Sequence, residues 1–405
     1  MADFHEFKET FGACVYCGSS PTNHTLSFFL QTIQTTVGVG MYRLSRIRFF
    51  RMLSNRAEQI SDFSTHPFYL LSSYLGIVTF NRNDPTKAAS YRSQVIWEEA
   101  LRQNIVMEQI IIYGKHIELY RAFINNKWRY FQSLPIPLSL DCSNYLWIDD
   151  KFLLKNILSK HNIPVPKYAS VTSRSMAKSA FKAVGGRAIV KPRIGSRGRH
   201  TTTNISTEAD VLTAYECAKM LNHYVVVEEH LIGNVCRATV VDGILVGFFE
   251  AQAPSVLGDG THTIAELIQL KNINHHERLQ DITLTEESIS FIERQGFTEQ
   301  SVLDINQKVL LSQRTGRLFG AETCELLADV DPKLQSEVER AARVLDVPVV
   351  GFDLIIERPT EDPDRQRWGI IEANSLPFID LHYLPLHGKP SNPARAVWRL
   401  WNKKS

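Results

Sequence analysis

Val349-Val350-Gly351-Phe352-Asp353-Leu354-Ile355-Ile356 and Gly369-Ile370-Ile371-Glu372-Ala373-Asn374 are two short, largely apolar runs, each carrying an acidic residue. Their β-branched residues predict two strands, and their closeness in sequence predicts antiparallel neighbours. Residues i and i+2 of a strand share a face, so Glu372 and Asn374 point the same way and Asp353 meets them from the adjacent strand. Two carboxylates in apolar strands repel each other unless a cation or a donor compensates them. With the Asn374 amide they form a hard oxygen set suited to Mg²⁺.

Two more features lie upstream. Ala188-Ile189-Val190-Lys191-Pro192 reads as a strand ending in a lysine, and Gly195-Ser196-Arg197-Gly198-Arg199 follows it. A lysine there can reach phosphate oxygens, and the glycines let backbone N–H groups approach them. A plain hairpin tip has the same composition, and the Gly-x4-Gly-Lys-Ser/Thr phosphate loop is absent. Val227-Glu228-Glu229-His230-Leu231-Ile232-Gly233 reads as a strand end followed by a turn, suited to a hinge whose backbone pairs with an adenine edge. A simple charged strand end is the alternative. Around these features, helices are predicted over Asp149–His161, over Thr207–Leu221 with Thr207 as N-cap, and over Pro332–Leu345 with Asp331 as N-cap. Thr263 and Glu266 have capping-box spacing. A hairpin is predicted around Asp242-Gly243.

The 405 residues include 45 basic and 43 acidic side chains, a balance of +2. That balance disfavours nucleic acid and anionic membranes as partners. A hydrophobic fraction of 44% with 22% charged residues excludes a disordered or collagen-like chain. No uninterrupted apolar run is long enough to span a bilayer, and the first residues lack a signal-peptide pattern, so a cytoplasmic protein is expected. The six cysteines are too scattered for a disulfide scaffold. Cys14 and Cys17 form a Cys-x-x-Cys pair, but a zinc site needs a second pair of ligands. The other cysteines are single, so the pair reads as two small side chains in an N-terminal strand. Before residue 145 the signals are weak. Ser93–Gln103 reads as a helix capped by Ser93 and Ile105–Tyr113 as a buried strand, which suggests an α/β domain. Arg43, Arg46, Arg48 and Arg51 read as a solvated face, with a carboxylate clamp as the alternative.

The ordered set resembles the ATP-grasp fold from about Asp149 to Trp401. It is most like the module found in cyanophycin synthetase and in bifunctional glutathione synthetases. The resemblance rests on Asp149-Asp150-Lys151, Val190-Lys191-Pro192 with its glycine loop, and Val227-Glu228-Glu229. It also rests on Leu257-Gly258-Asp259-Gly260-Thr261-His262-Thr263-Ile264-Ala265-Glu266-Leu267-Ile268, and on Glu372-x-Asn374-x-x-Pro377 followed by His382, Pro385 and Gly388. It implies an α+β fold in which two subdomains (146–230 and 231–405) clamp ATP, preceded by a smaller, substrate-selecting α/β domain (1–145).

The resemblance also implies site roles. Lys151 and Lys191 would contact ATP phosphates, with Gly195, Ser196 and Gly198 in a lid loop. Glu228, Glu229 and Leu231 would lie at the adenine hinge. Asp353, Glu372 and Asn374 would hold Mg²⁺ (or Mn²⁺), and Arg237 and Arg314 would stand at the reacting centre. The implied activity is a carboxylate–amine ligase joining amino acids or small peptide-like metabolites, in a homodimer or homotetramer. A ligase acting on a protein or peptide terminus, and an inactive nucleotide-binding regulator, are the alternatives. Departures from the pattern are Val235 at a position where relatives often carry an acid, His200 where a further glycine is common, and Ala251-Gln252-Ala253 in place of an arginine-bearing segment. The Mur-ligase-like domain of cyanophycin synthetase does not follow Trp401.

Overall fold

The computed structural model describes residues 14–17, 22–45, 65–82, 84–137, 147–195, 198–312, 315–316 and 319–402. After a 3-10 turn at Val15–Cys17, helix α1 spans His24–Ser45. The Cys-x-x-Cys pair therefore lies on a tight turn rather than in the expected strand. Arg43 is exposed on α1, while Arg46, Arg48 and Arg51 fall outside the described residues.

The N-terminal unit is a meander of β1 (Val78–Asn81), β2 (Val106–Ile112), β3 (Lys115–Ile124) and β4 (Lys127–Gln132), with α2 (Tyr91–Arg102) against it. Every pairing is antiparallel, so the layer is α+β and not the expected α/β arrangement. Two-residue turns join β2 to β3 and β3 to β4, too short for the crossover that parallel pairing needs, while β1 reaches β2 by way of α2. Ser90, not Ser93, caps α2, because its side chain accepts from the Ser93 N–H.

A small antiparallel sheet follows, in the order β5-β8-β6-β7, built from β5 (Tyr168–Val171), β6 (Ala188–Pro192), β7 (Thr202–Ile205) and β8 (Val225–Glu229). The preceding helix α3 spans Lys151–Lys160, and α4 (Arg174–Ala183) and α5 (Glu208–Lys219) pack on the sheet. Thr207 caps α5 as its sequence indicates.

The large sheet runs β13-β10-β9-β14-β15. It contains β9 (Asn234–Val241), β10 (Ile244–Ala251), β13 (Thr323–Glu325), β14 (Val349–Ile356) and β15 (Gly369–Asn374). Between β10 and β13, β11 (Ser255–Leu257) pairs with β12 (Lys308–Leu310) beside α6 (Ile264–Asn274) and α7 (Glu286–Glu293) around a separate apolar core. Helix α8 (Pro332–Leu345) buries Leu334, Val338, Ala341, Ala342 and Leu345, a single stripe at helical spacing. The stripe packs on Cys236, Ala238, Val240, Phe352 and Leu354 of the large sheet, and α3 joins the same core through Leu154 and Leu158. Burying each leucine contributes roughly 1.5–3 kcal/mol relative to exposure. The last helix, α9 (Pro393–Arg399), ties the N-terminal unit to this sheet, with Trp398 Nε1 donating to Ile96 O at 2.9 Å.

Alternation along β9 and β14 decides what faces the other way. With Cys236, Ala238, Phe352 and Leu354 in the core, Arg237 and Asp353 must point to the opposite face. Gly351 makes room on β14, since a Cβ there would meet Pro377 Cβ at 2.6 Å. Among the described residues, no helix is long and apolar enough to cross a membrane.

Candidate active site

Three neighbouring strands set one row of charge. Asp353 on β14 lies opposite Arg237 on β9 and opposite Glu372 on β15. Arg237 Nε and an η nitrogen each donate to a different Asp353 carboxylate oxygen at 2.7 Å, a bidentate pair. Asn374 Nδ2 reaches Asp353 Oδ2 at 3.4 Å. The sequence-predicted oxygen set is thus brought together, and Arg237 stands beside it.

Across from this row, lysines converge from α3 and β6. Lys151 Nζ is buried and lies 3.4 Å from Glu372 Oε1. Lys191 Nζ lies 2.5 Å from Glu228 Oε1, and Lys155 Nζ lies 2.9 Å from Glu228 Oε2 and 2.7 Å from Ile371 O. Glu228 is fully buried. Burial alone would raise its pKa, but the attraction of Lys155 and then Lys191 holds it below the ordinary range. Burial pushes Lys155 down to about 8 against the pull of Glu228, and the charges of Lys191 and Lys151 act the same way as burial. For Glu372 burial again acts upward, but Lys151, Lys191 and Arg237 outweigh it and hold the carboxyl ionised.

The two carboxylates before Lys151 are also engaged. Asp150 caps α3 through the N–H groups of Phe152 and Leu153 and holds the Arg193 guanidinium at 2.8–2.9 Å. Asp149 accepts from the N–H and the hydroxyl of Ser375, each at 3.2 Å. Its pKa is raised by burial and, in smaller part, by Glu372. These contacts join the start of α3 to the end of β15, so Lys151 and Glu372 are positioned as one unit.

The residues expected at the adenine hinge lie at the end of β8 and just beyond it. The Glu228 carboxylate meets two lysines. Glu229 is paired with Arg367, and its N–H donates to Lys167 O at 2.8 Å. Leu231 is buried. Gly195 and Gly198 have positive φ values of 67° and 78°, which suits glycine in this loop. Ser196 and Arg314 fall outside the described residues. Lys155 was missed from the sequence, although it sits one helical turn from Lys151 beside the buried Leu154 and Leu158, an anomalous charge on an apolar face. Arg193 and Asp150 were missed as a pair.

The stretch from Leu257 to Ile268 does structural work. Asp259 Oδ1 accepts from the N–H groups of Thr261 and His262, and both halves of the Thr263–Glu266 capping box form. His382 pins two strands, with Nε2 2.7 Å from Thr239 Oγ1 and Nδ1 2.6 Å from Glu325 Oε2.

No protein-family model matches the chain. Cyanophycin synthetase of Trichormus variabilis is 30% identical over 258 residues, covering 61% of this chain and 28% of that protein. The glutathione biosynthesis bifunctional protein GshAB of Listeria welshimeri is 25% identical over 346 residues, covering 78% of this chain and 44% of that one. The crystal structure of a bifunctional glutathione synthetase from Pasteurella multocida matches with a TM-score of 0.50 at 22% identity, over 77% of this chain and 44% of that one. The chain thus spans less than half the length of these relatives. With its two sheets and the facing lysines and carboxylates, the chain has the ATP-grasp fold and is similar in sequence to cyanophycin synthetase and bifunctional glutathione synthetase.

Proposed function

We propose that the chain is an ATP-dependent carboxylate–amine ligase. The observation that carries this reading is the Arg237–Asp353–Glu372 row facing the buried Lys151, Lys155 and Lys191. Three lysines and the two glutamates they meet leave a net positive cluster suited to a polyphosphate. Lys151 Nζ is buried and its ion pair with Glu372 is long, at 3.4 Å, which favours an anionic ligand that bonds it more closely. Asp353, Glu372 and Asn374 suit a divalent cation, Mg²⁺ or Mn²⁺, because their donors are hard oxygens of two ionised groups and an amide. Such an ion supplies charge neutralisation at phosphate oxygens.

In the proposed reaction a substrate carboxylate attacks the γ-phosphorus, the bond to the bridging oxygen breaks, and ADP leaves. An amine then attacks the acyl carbon. Phosphate leaves with the C–O bond electrons, and the nitrogen loses a proton as the amide forms. Lys151 and Lys191 hold phosphate oxygens, Lys155 sets the position of Glu228 and hence of Lys191, and Arg237 stabilises negative charge on the transferring group. Arg314 and Ser196 are assigned to the reacting centre and the lid loop by resemblance alone.

The relatives are named for the synthesis of cyanophycin and glutathione, which supports small amino acid or peptide-like substrates selected in part by the N-terminal unit. The described cysteines are free thiols, in keeping with a reducing cytoplasm. A homodimer or homotetramer belongs to the same reading. Calorimetry with ATP, with and without Mg²⁺, tests the site itself: saturable binding strengthened by the ion is expected, and no binding in either condition refutes the reading.

A further inference from the structure

Cys14, Cys17, His24 and His200 converge, and their ligand atoms all lie within 4.8 Å of one another. Cys17 Sγ is 3.2 Å from His24 Nε2 and 3.4 Å from His200 Nε2, and Cys14 Sγ is 3.7 Å from His200 Nε2. Zn–S bonds of about 2.3 Å and Zn–N bonds of about 2.0–2.1 Å at a tetrahedral angle place sulfur and nitrogen about 3.6 Å apart. The observed separations bracket that edge length.

The surroundings orient the ligands. His200 Nδ1 lies 2.7 Å from the Cys217 carbonyl oxygen. A carbonyl only accepts, so Nδ1 carries the proton and Nε2 presents its lone pair to the two sulfurs, the second-shell arrangement that metal-binding imidazoles use. His200 reaches the cluster from the connection between β6 and β7. Its backbone adopts a φ of 50°, and its N–H donates to Tyr16 O at 2.9 Å, inside the Cys-x-x-Cys turn. That turn closes through Cys17 N–H to Cys14 O at 3.0 Å. His24 opens α1.

We propose that Cys14, Cys17, His24 and His200 form a structural Zn²⁺ site. Thiolate and imidazole ligands select Zn²⁺ over Mg²⁺ or Ca²⁺, and four protein ligands leave no open position for catalysis. Binding displaces one proton from each thiol, while both imidazoles bind neutral. The ion ties the N-terminal segment to the connection between β6 and β7, across 183 residues of sequence. Helix α1 docks on the same subdomain, where Thr32 Oγ1 accepts from His223 N–H and Thr35 Oγ1 accepts from Asn222 Nδ2, each at 3.1 Å.

Elemental analysis of the full chain, purified under reducing conditions without chelator and desalted, is expected to give close to one zinc per chain. The Cys14→Ser/Cys17→Ser double variant and His200→Gln are expected to fall to roughly a tenth of that. Cys217→Ser, which leaves the four ligands in place, is expected to keep its zinc. Metal-stripped wild-type chain titrated with Co²⁺ avoids dependence on variant folding: thiolate-to-cobalt absorption should saturate at one equivalent and disappear on adding Zn²⁺. A wild-type chain that carries no zinc and gives no such absorption overturns the proposal. So does a double cysteine variant that retains wild-type zinc.

Discussion

Replacing Glu228 by glutamine should destabilise the protein sharply, and removing Lys155 as well should return part of the loss. Glu228 is fully buried and takes Lys155 at 2.9 Å and Lys191 at 2.5 Å on separate oxygens. Glu228→Gln keeps the shape but leaves two buried ammonium groups without their counter-charge. Breaking a buried pair in this way costs about 3–5 kcal/mol. Lys155→Met alone should cost less, because Glu228 keeps Lys191. In the double variant one of the two orphaned charges is gone, so its loss should fall short of the sum of the single losses by roughly 1–3 kcal/mol. Urea unfolding followed by tryptophan fluorescence reports this directly, since Trp97, Trp147, Trp368 and Trp398 are buried. Equal slopes among the variants would confirm that the same transition is being compared. Additive losses within experimental error would show that Lys155 and Glu228 do not act as a pair, and the account of the lysine cluster would fail with them.

Asp353→Asn and Glu372→Gln should each lower turnover by roughly a hundredfold or more, the scale of removing one preorganised electrostatic contact. Near-native turnover in a folded variant, checked by steady-state ADP release, would remove that residue from the site. Lys191→Ala should raise the KM for ATP several-fold, and an unchanged ATP dependence would exclude it from phosphate binding. Gly351→Ala should cost about 1–3 kcal/mol, because its Cβ would stand 2.6 Å from Pro377 Cβ. An unchanged urea midpoint would mean that the loop at Pro377 gives way freely.

The parts legible in the sequence are those where local pattern and tertiary role agree. Val349–Ile356 and Gly369–Asn374 are strands with the predicted bounds, and Asp353 does stand opposite Glu372. Thr207, Thr263 and Asp331 cap their helices because the signal lies within a few residues of the cap itself. What stayed hidden depends on contacts between distant segments. A charged strand end looks the same whether Glu228 meets solvent, an adenine or two lysines, and only the approach of α3 and β6 decides for lysines. The antiparallel order of the N-terminal sheet likewise follows from how its strands meet. Cys14 and Cys17 looked incomplete because no second cysteine pair exists. The ligand atoms that complete the cluster are imidazole nitrogens, one of them 183 residues away from Cys17. His200 stood out as a departure from a glycine-rich loop, and its side chain now has a reason to be there.

The central claim is tested most directly by incubating the purified chain with Mg-ATP and pools of amino acids and metabolic carboxylates, then measuring nucleotide products and new masses together. The account predicts ADP and phosphate in step with a product whose mass is that of a carboxylate plus an amine less one water. AMP and pyrophosphate in place of ADP and phosphate, or no nucleotide turnover above background with any pool, would contradict it.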